Sequence, residues 1–186
     1  MSGPARAADA HDAFEALGGE TVYRGRLVEV RIERFRHADG EEATREVVRQ
    51  KGAVGVVVHD EREVWLVRQP REAVDEPALL ELPAGRLDVE GEGPQAAGER
   101  ELAEEIGRGA RRWEPILSYY SSAGFTDERV YLYRATELYE ASAESEESER
   151  IQIVRWPLGE LDAAIAECRD AKTLIGLMWL ARRLNA

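Results

Sequence analysis

A short segment between a proline and a glycine places the strongest constraint on this chain. Pro94 suits the first position of a helix, where a missing N–H costs no hydrogen bond. Gly107 suits the residue just past the last turn, and the stretch between them, PQAAGERELAEEI, reads as one helix. Glu101, Glu104 and Glu105 follow at spacings of three and four, so their carboxylates share a face. Ala97 and Gly98 lie on the same stripe one turn earlier and leave it clear of bulky groups, while Leu102 and Ile106 point into a core. Like charges at these spacings destabilise an isolated helix by about 0.2–0.5 kcal/mol per pair. Gly98 inside the helix costs about 1 kcal/mol relative to alanine. A sequence shaped by helix stability alone avoids both features. Spacing by itself leaves two readings open: a solvated acidic face, or a cradle for a hard divalent cation, which takes oxygen ligands.

Composition narrows the class. The 186 residues suffice for one domain with a core and a small appendage. A hydrophobic share of 44% beside a charged share of 33% describes a soluble globular protein. The formal net charge of −12, with no basic patch to offset it, argues against nucleic acid as a partner. No apolar run is long enough to span a membrane, and MSGPARAADAHD has the features of neither a signal peptide nor an anchor. Cys168 is the only cysteine, which rules out an intrachain disulfide and fits a reducing compartment, so a cytoplasmic location is expected.

Along the chain, residues 1–13 read as a disordered tail. Residues 14–50 form a β extension: TVYRGRLVEVRIERFR alternates around Gly25, HADG is a turn, and residues 42–49 return as a strand. From residue 51 to 186 the pattern is that of the main domain. AVGVVV, from residue 53, is a strand buried on both faces, and VWLV is another. RQPREAVDEP reads as a loop or edge, and LLELPAG as a buried strand ending in a sharp turn. After Gly107, RGARRWEP reads as turn-rich; strands are expected at residues 114–120, 129–135 and 151–156. EASAESEESER is an acidic loop, an amphipathic helix is expected over residues 161–169, and a strongly apolar helix that caps the sheet over residues 172–184. Strands alternating with three helices predict an α/β/α sandwich around a mixed sheet, preceded by an antiparallel strand extension.

The order of residues in the central stretch settles its reading. Glu92, seven residues, then Arg100, Glu101, Leu102, a gap, Glu104, Glu105, a gap and Gly107 resembles the Nudix box. Two positions depart from it. Gly85 stands one residue too far ahead of Glu92, which is expected to lengthen a loop, and Arg108 replaces a final apolar residue, which is expected to weaken packing there. The likeness extends to LLELPAG, SSAGFTDE, DAKTLIGL and the YRGR extension, which look like ADP-ribose pyrophosphatases of the Nudix superfamily. Ala123 stands where that family often has proline, a departure expected to loosen a substrate loop.

The resemblance implies a set of roles. Glu101, Glu104 and Glu105, with the Ala84 backbone carbonyl, would hold two to three Mg²⁺ or Mn²⁺ ions. Arg100 would orient the helix carboxylates by charge-assisted hydrogen bonds, and Glu92 would fix the loop to the helix. Glu149, with Glu147 as next candidate, would be the base that activates water. Arg49 and Arg71 would contact the substrate phosphates, with Arg68 as alternative to Arg71. Glu81 would sit beside the metals or a ribose, and Phe125 and Tyr23 would pack on adenine or ribose. The implied activity is hydrolysis of ADP-ribose to AMP and ribose 5-phosphate by a homodimer paired through the N-terminal sheet. Another nucleoside-diphosphate sugar or a dinucleotide is the alternative substrate. A non-catalytic ADP-ribose sensor and an acidic cation-binding structural protein are the alternatives outside catalysis. His11, His37 and His59 read as tail and turn residues, and Cys168 as a half-buried packing residue.

Overall fold

The computed structural model describes residues 14–141 and 150–185. The expected tail at residues 1–13 lies outside the described residues. The chain divides into two compact units, Met1–Gln50 with Ser122–Glu128, and Lys51–Ser121 with Arg129–Ala186.

The first unit is an antiparallel sheet of β1 (Phe14–Arg24), β2 (Val28–His37) and β3 (Glu42–Gln50), in that order. The strand pair around Gly25 and the turn at HADG are where the alternation placed them, though β1 begins before Thr21. The later segment 122–128 joins this unit through β3: the Val48 N–H donates to the Phe125 carbonyl at 2.8 Å, and Val48 pairs with Thr126.

The second unit holds a seven-stranded mixed sheet. Its strands are β4 (Ala53–His59), β5 (Glu63–Arg71), β6 (Glu76–Glu81), β7 (Ala84–Arg86), β8 (Arg108–Tyr120), β9 (Arg129–Glu140) and β10 (Gln152–Pro157). The main order is β10-β5-β4-β9-β8, with β6 on β5 and β7 on β4. The β4–β9 pairing is parallel and the others are antiparallel. Three helices cover the sheet: α1 (Pro94–Ile106), α2 (Leu161–Glu167) and α3 (Ala171–Leu184).

Strand alternation divides the core into two layers, because successive side chains point to opposite faces. Val57 and Leu66 turn toward α2 and α3 with Leu161, Leu177 and Leu180. Val56, Val58 and Val67 turn toward α1 with Leu102 and Ile106. This is the expected α/β/α sandwich, and AVGVVV is its doubly buried centre.

Some expectations change. RGARRWEP is no turn: β8 begins at Arg108, directly after the helix cap. RQPREAVDEP is partly strand, since β5 runs to Arg71 and β6 starts at Glu76. Each stretch carries a proline at a register shift: Pro70 at the shift between Gln69 and Arg71, and Pro115, already inside the strand expected from residue 114, at the shift before Leu117. A bulge accommodates a residue without an N–H. Arg108 follows the helix cap directly. Its guanidinium lies over the Trp65 ring, 5.1 Å from the centroid.

Candidate active site

The carboxylate helix is built as its ends imply. Pro94 occupies the first turn, and Gly107 closes the last with a left-handed φ of 64°, its N–H reaching the carbonyls of Ala103 and Leu102. Gly98 and Ala97 do not keep a stripe open. Both are buried, and a Cβ on Gly98 would meet Trp113, Val54 and Val56 at 3.3 Å, so these small residues let the helix lie close on the sheet.

The sheet then presents β7 to the helix carboxylates. The Ala84 N–H donates to Glu105 Oε2 at 3.0 Å, and Glu105 is 8% exposed. Gly85, next in the strand, lies against Glu101: an added Cβ would fall 1.8 Å from Glu101 Oε1. Gly85 therefore keeps its place despite its offset in the motif, and the extra residue is absorbed between β7 and α1. At the other edge of the carboxylate face stands Arg100. Its Nη1 donates to Glu101 Oε1 at 2.8 Å and Glu104 Oε2 at 2.9 Å, while Nε and Nη2 fork onto Glu92 at 3.2 Å each. Glu92 foremost, then Glu101 and Glu104, strengthen the hold of the guanidinium on its proton.

A second cluster sits in the adjoining strands. Glu81, only 1% exposed, receives Arg71 Nε at 2.5 Å and Nη2 at 2.9 Å. Lys172, from the start of α3, donates to Glu81 Oε2 at 2.5 Å. Burial opposes the charge on Glu81, but Arg71 and Lys172 outweigh it and hold the carboxyl below its ordinary range. Arg71 also feels Glu105 and Asp170, which places this cluster in one field with the helix carboxylates. Arg68, the alternative to Arg71, pairs instead with Glu167.

The remaining nominees divide. Arg49 and Phe125 belong to the first unit. Arg49 forks onto Glu33 at 3.0 and 2.9 Å and reaches Asp127 at 3.1 Å, and the Phe125 ring is more than half exposed. Tyr23 is likewise exposed. Glu147 and Glu149 lie outside the described residues. His59 is no turn residue: it ends β4 at 5% exposure, accepting from Arg134 Nε on Nε2 at 2.9 Å, which directs its Nδ1–H to the Asp60 carbonyl at 2.7 Å. Cys168 is fully rather than half buried, just past the end of α2, and burial raises its thiol pKa, which suits packing and not attack. Three residues of DAKT carry contacts to which the sequence assigned no role: Asp170, Lys172 and Thr173. Their visible signal was Asp170 three positions before Thr173, a helix-capping spacing.

The donor set fits a hard cation. Every side chain on the face offers carboxylate oxygen, and the missing Cβ of Gly85 leaves room for Glu101. Among the described residues no three His, Cys, Asp or Glu side chains enclose a metal position.

Known proteins agree with this geometry. The NUDIX domain family model matches residues 49–174. An ADP-ribose pyrophosphatase of Mycobacterium tuberculosis is 38% identical over 153 residues, covering 81% of this chain and 73% of that protein. A methanol dehydrogenase activator of Bacillus methanolicus is 34% identical over 166 residues, 87% and 89% of the two chains. An ADP-ribose pyrophosphatase of Bacillus subtilis is 32% identical over 171 residues, 89% and 91%. Among solved structures, an ADP compounds hydrolase superposes with a TM-score of 0.83 at 26% identity, over 95% of this chain and 96% of that one. With the family motif on a helix, its glutamates turned to β7 and relatives matched along most of their length, the chain belongs to the Nudix hydrolases.

Proposed function

We propose that the protein hydrolyses the diphosphate bond of ADP-ribose, releasing AMP and ribose 5-phosphate. The observation that carries this reading is the helix face of Glu101, Glu104 and Glu105, joined to β7 through the Ala84 N–H, in a chain whose relatives include ADP-ribose pyrophosphatases. Glu101, Glu104 and Glu105, with the Ala84 carbonyl, would hold two to three Mg²⁺ or Mn²⁺ ions. A bound divalent ion neutralises diphosphate charge and acidifies a water. Arg100 keeps Glu101 and Glu104 in orientation before an ion arrives. Glu149, with Glu147 next, takes the proton of the attacking water. Arg71 faces the distal phosphate, and Glu81, too buried to meet a ribose freely, holds Arg71 in place. Arg49 and Phe125 are the further substrate-binding residues that the family resemblance implies. The first unit also exposes Phe14, Val22, Tyr23 and Leu27, which supports its pairing with a second copy in a cytoplasmic homodimer.

A second reading, another nucleoside-diphosphate sugar or a dinucleotide as substrate, is favoured by a relative that is not named for ADP-ribose, the methanol dehydrogenase activator. One substrate panel separates these. The protein is incubated with Mg²⁺ and ADP-ribose, nucleotide sugars, dinucleotides or 8-oxo-dGTP, and products are identified by chromatography. AMP and ribose 5-phosphate from ADP-ribose, at the highest kcat/KM of the panel, is the expected result. Preference for a dinucleotide or a sugar nucleotide would reject the substrate, and ligand binding without any turnover would reject catalysis.

A further inference from the structure

The short turn that carries Ala84 is held from both faces of the sheet. From the α1 face, Glu105 takes the Ala84 N–H. Within the sheet, the Pro83 carbonyl accepts the Val56 N–H at 2.9 Å. The other two residues of the turn are held by α3, which covers the opposite face. Lys172 Nζ donates to Glu81 at 2.5 Å. The Thr173 hydroxyl accepts the buried Leu82 N–H at 2.8 Å. One turn further along, Gly176 lets α3 press on the Leu82 side chain: a Cβ there would fall 2.7 Å from Leu82 Cδ1.

The direction of the Thr173 hydroxyl is fixed as well. Its single proton goes to Asp170 Oδ2 at 2.6 Å, so only lone pairs remain to meet the Leu82 N–H. Asp170 also caps α3 through the Thr173 N–H at 3.0 Å, and lies 3.1 Å from Lys172 Nζ. Each residue from 81 to 84 is thus anchored: Leu82 by α3, and Glu81 by Lys172 of α3 together with Arg71 of β5, none of them on the carboxylate helix. A one-residue slip of this turn would withdraw Ala84 from Glu105.

We propose that Asp170, Lys172 and Thr173 are positioning residues of the active site. They set the 81–84 turn so that Ala84 meets Glu105, and through it they raise divalent-ion affinity from the opposite side of the sheet. The inference rests on the metal-dependent reading above. Partners that orient metal ligands are worth about 10- to 100-fold in affinity, and the same range is expected here.

The test is Mn²⁺ binding to the substrate-free protein, followed by electron paramagnetic resonance, in the wild type, Thr173→Val and Thr173→Ser. Valine keeps the shape but removes both hydroxyl hydrogen bonds, and is expected to weaken Mn²⁺ binding about 10- to 100-fold. Serine keeps the hydroxyl and is expected to restore wild-type affinity. Should Thr173→Val not fold, Lys172→Met is measured in its place with the same expectation. Wild-type Mn²⁺ affinity in the folded variant, even with a lowered Tm, would overturn the inference and leave a merely structural contact. A wild type that neither binds Mn²⁺ nor hydrolyses any substrate would instead overturn the proposed function, so the two failures are distinct.

Discussion

Two arginine–glutamate clusters stand side by side in this protein, and they differ in their access to water. Around Arg100, the guanidinium side chain is 28% exposed, and its partners Glu92, Glu101 and Glu104 are all partly exposed. Around Glu81, the carboxylate is sealed at 1% exposure between Arg71 and Lys172. Removing charges from water costs several kcal/mol per ion, and only close opposite charges offset it. The sealed Glu81 carboxylate therefore depends on both partners, Lys172 at 16% exposure and Arg71, which reaches water at 41%. The carboxylates around Arg100 keep more contact with water than Glu81 does, and ion pairs weaken toward about 0–1 kcal/mol as they become exposed. A cation arriving at Glu101 or Glu104 competes with a guanidinium that water can accommodate. The open cluster suits work that must be redone at every turnover, and the sealed one suits holding a shape.

The comparison breaks most decisively at Glu105. Glu105→Gln keeps the volume and removes the charge, and is expected to lower kcat/KM at least about a thousandfold, or about 4 kcal/mol, with Tm nearly unchanged. Initial rates with ADP-ribose beside a melting curve would show it, and an unaltered rate would remove Glu105 from the metal set. Next comes Glu81→Gln, which leaves Arg71 and Lys172 facing a neutral amide. Loss of one partner in a buried pair is expected to cost about 3–5 kcal/mol of stability, read by urea denaturation. A cost below about 1 kcal/mol would place Glu81 with the open ion pairs. Arg100→Gln should do the reverse, lowering kcat/KM about 10- to 100-fold while changing stability by no more than about 1 kcal/mol. Equal losses of stability in the Glu81 and Arg100 variants would erase the distinction between the clusters.

The smallest effect belongs to a third buried arrangement. Burial first, and the neighbouring Arg134 after it, hold the His59 imidazole below its ordinary pKa of 6.5, although the Asp60 carbonyl pulls the other way. The unfolded chain then takes up the proton first on acidification. The contribution of neutral His59 is complete above about pH 6.5 and is lost as pH falls through the lower folded-state value. His59→Asn is expected to shrink the drop in Tm between about pH 7.5 and about pH 5.5. An identical drop in both proteins would show that His59 does not titrate in that window.

Local chemistry made much of this legible in the sequence. Helix α1, its two ends and the doubly buried β4 follow from proline, glycine and β-branched residues acting on their own neighbourhoods. The roles of Glu92 and Arg100 came from the resemblance to the family motif, and the structure pairs the two. What escaped was set by residues distant in the chain. Nothing near Glu81 announces Lys172, and nothing near Asp170 and Thr173 announces Leu82, whose N–H the Thr173 hydroxyl accepts. His59 looked like a turn residue because Asp60 follows it, whereas Arg134 on β9 fixes its ring. Pro70 argued for a loop, and a bulge in the sheet overruled it.

The parallel pairing of β4 with β9 also bears on how the chain is made. β4 is complete by His59, but its parallel neighbour begins only at Arg129. Until then the ribosome has released an apolar, β-branched segment with one edge unsatisfied. Contacts this distant in sequence form slowly, because a long loop must close first. Segments of that composition are also those that join between chains when left exposed. Yield at high expression temperature should therefore be governed by the interval between the synthesis of these two strands, a kinetic hazard written into the same strand that gives the finished sheet its dry centre.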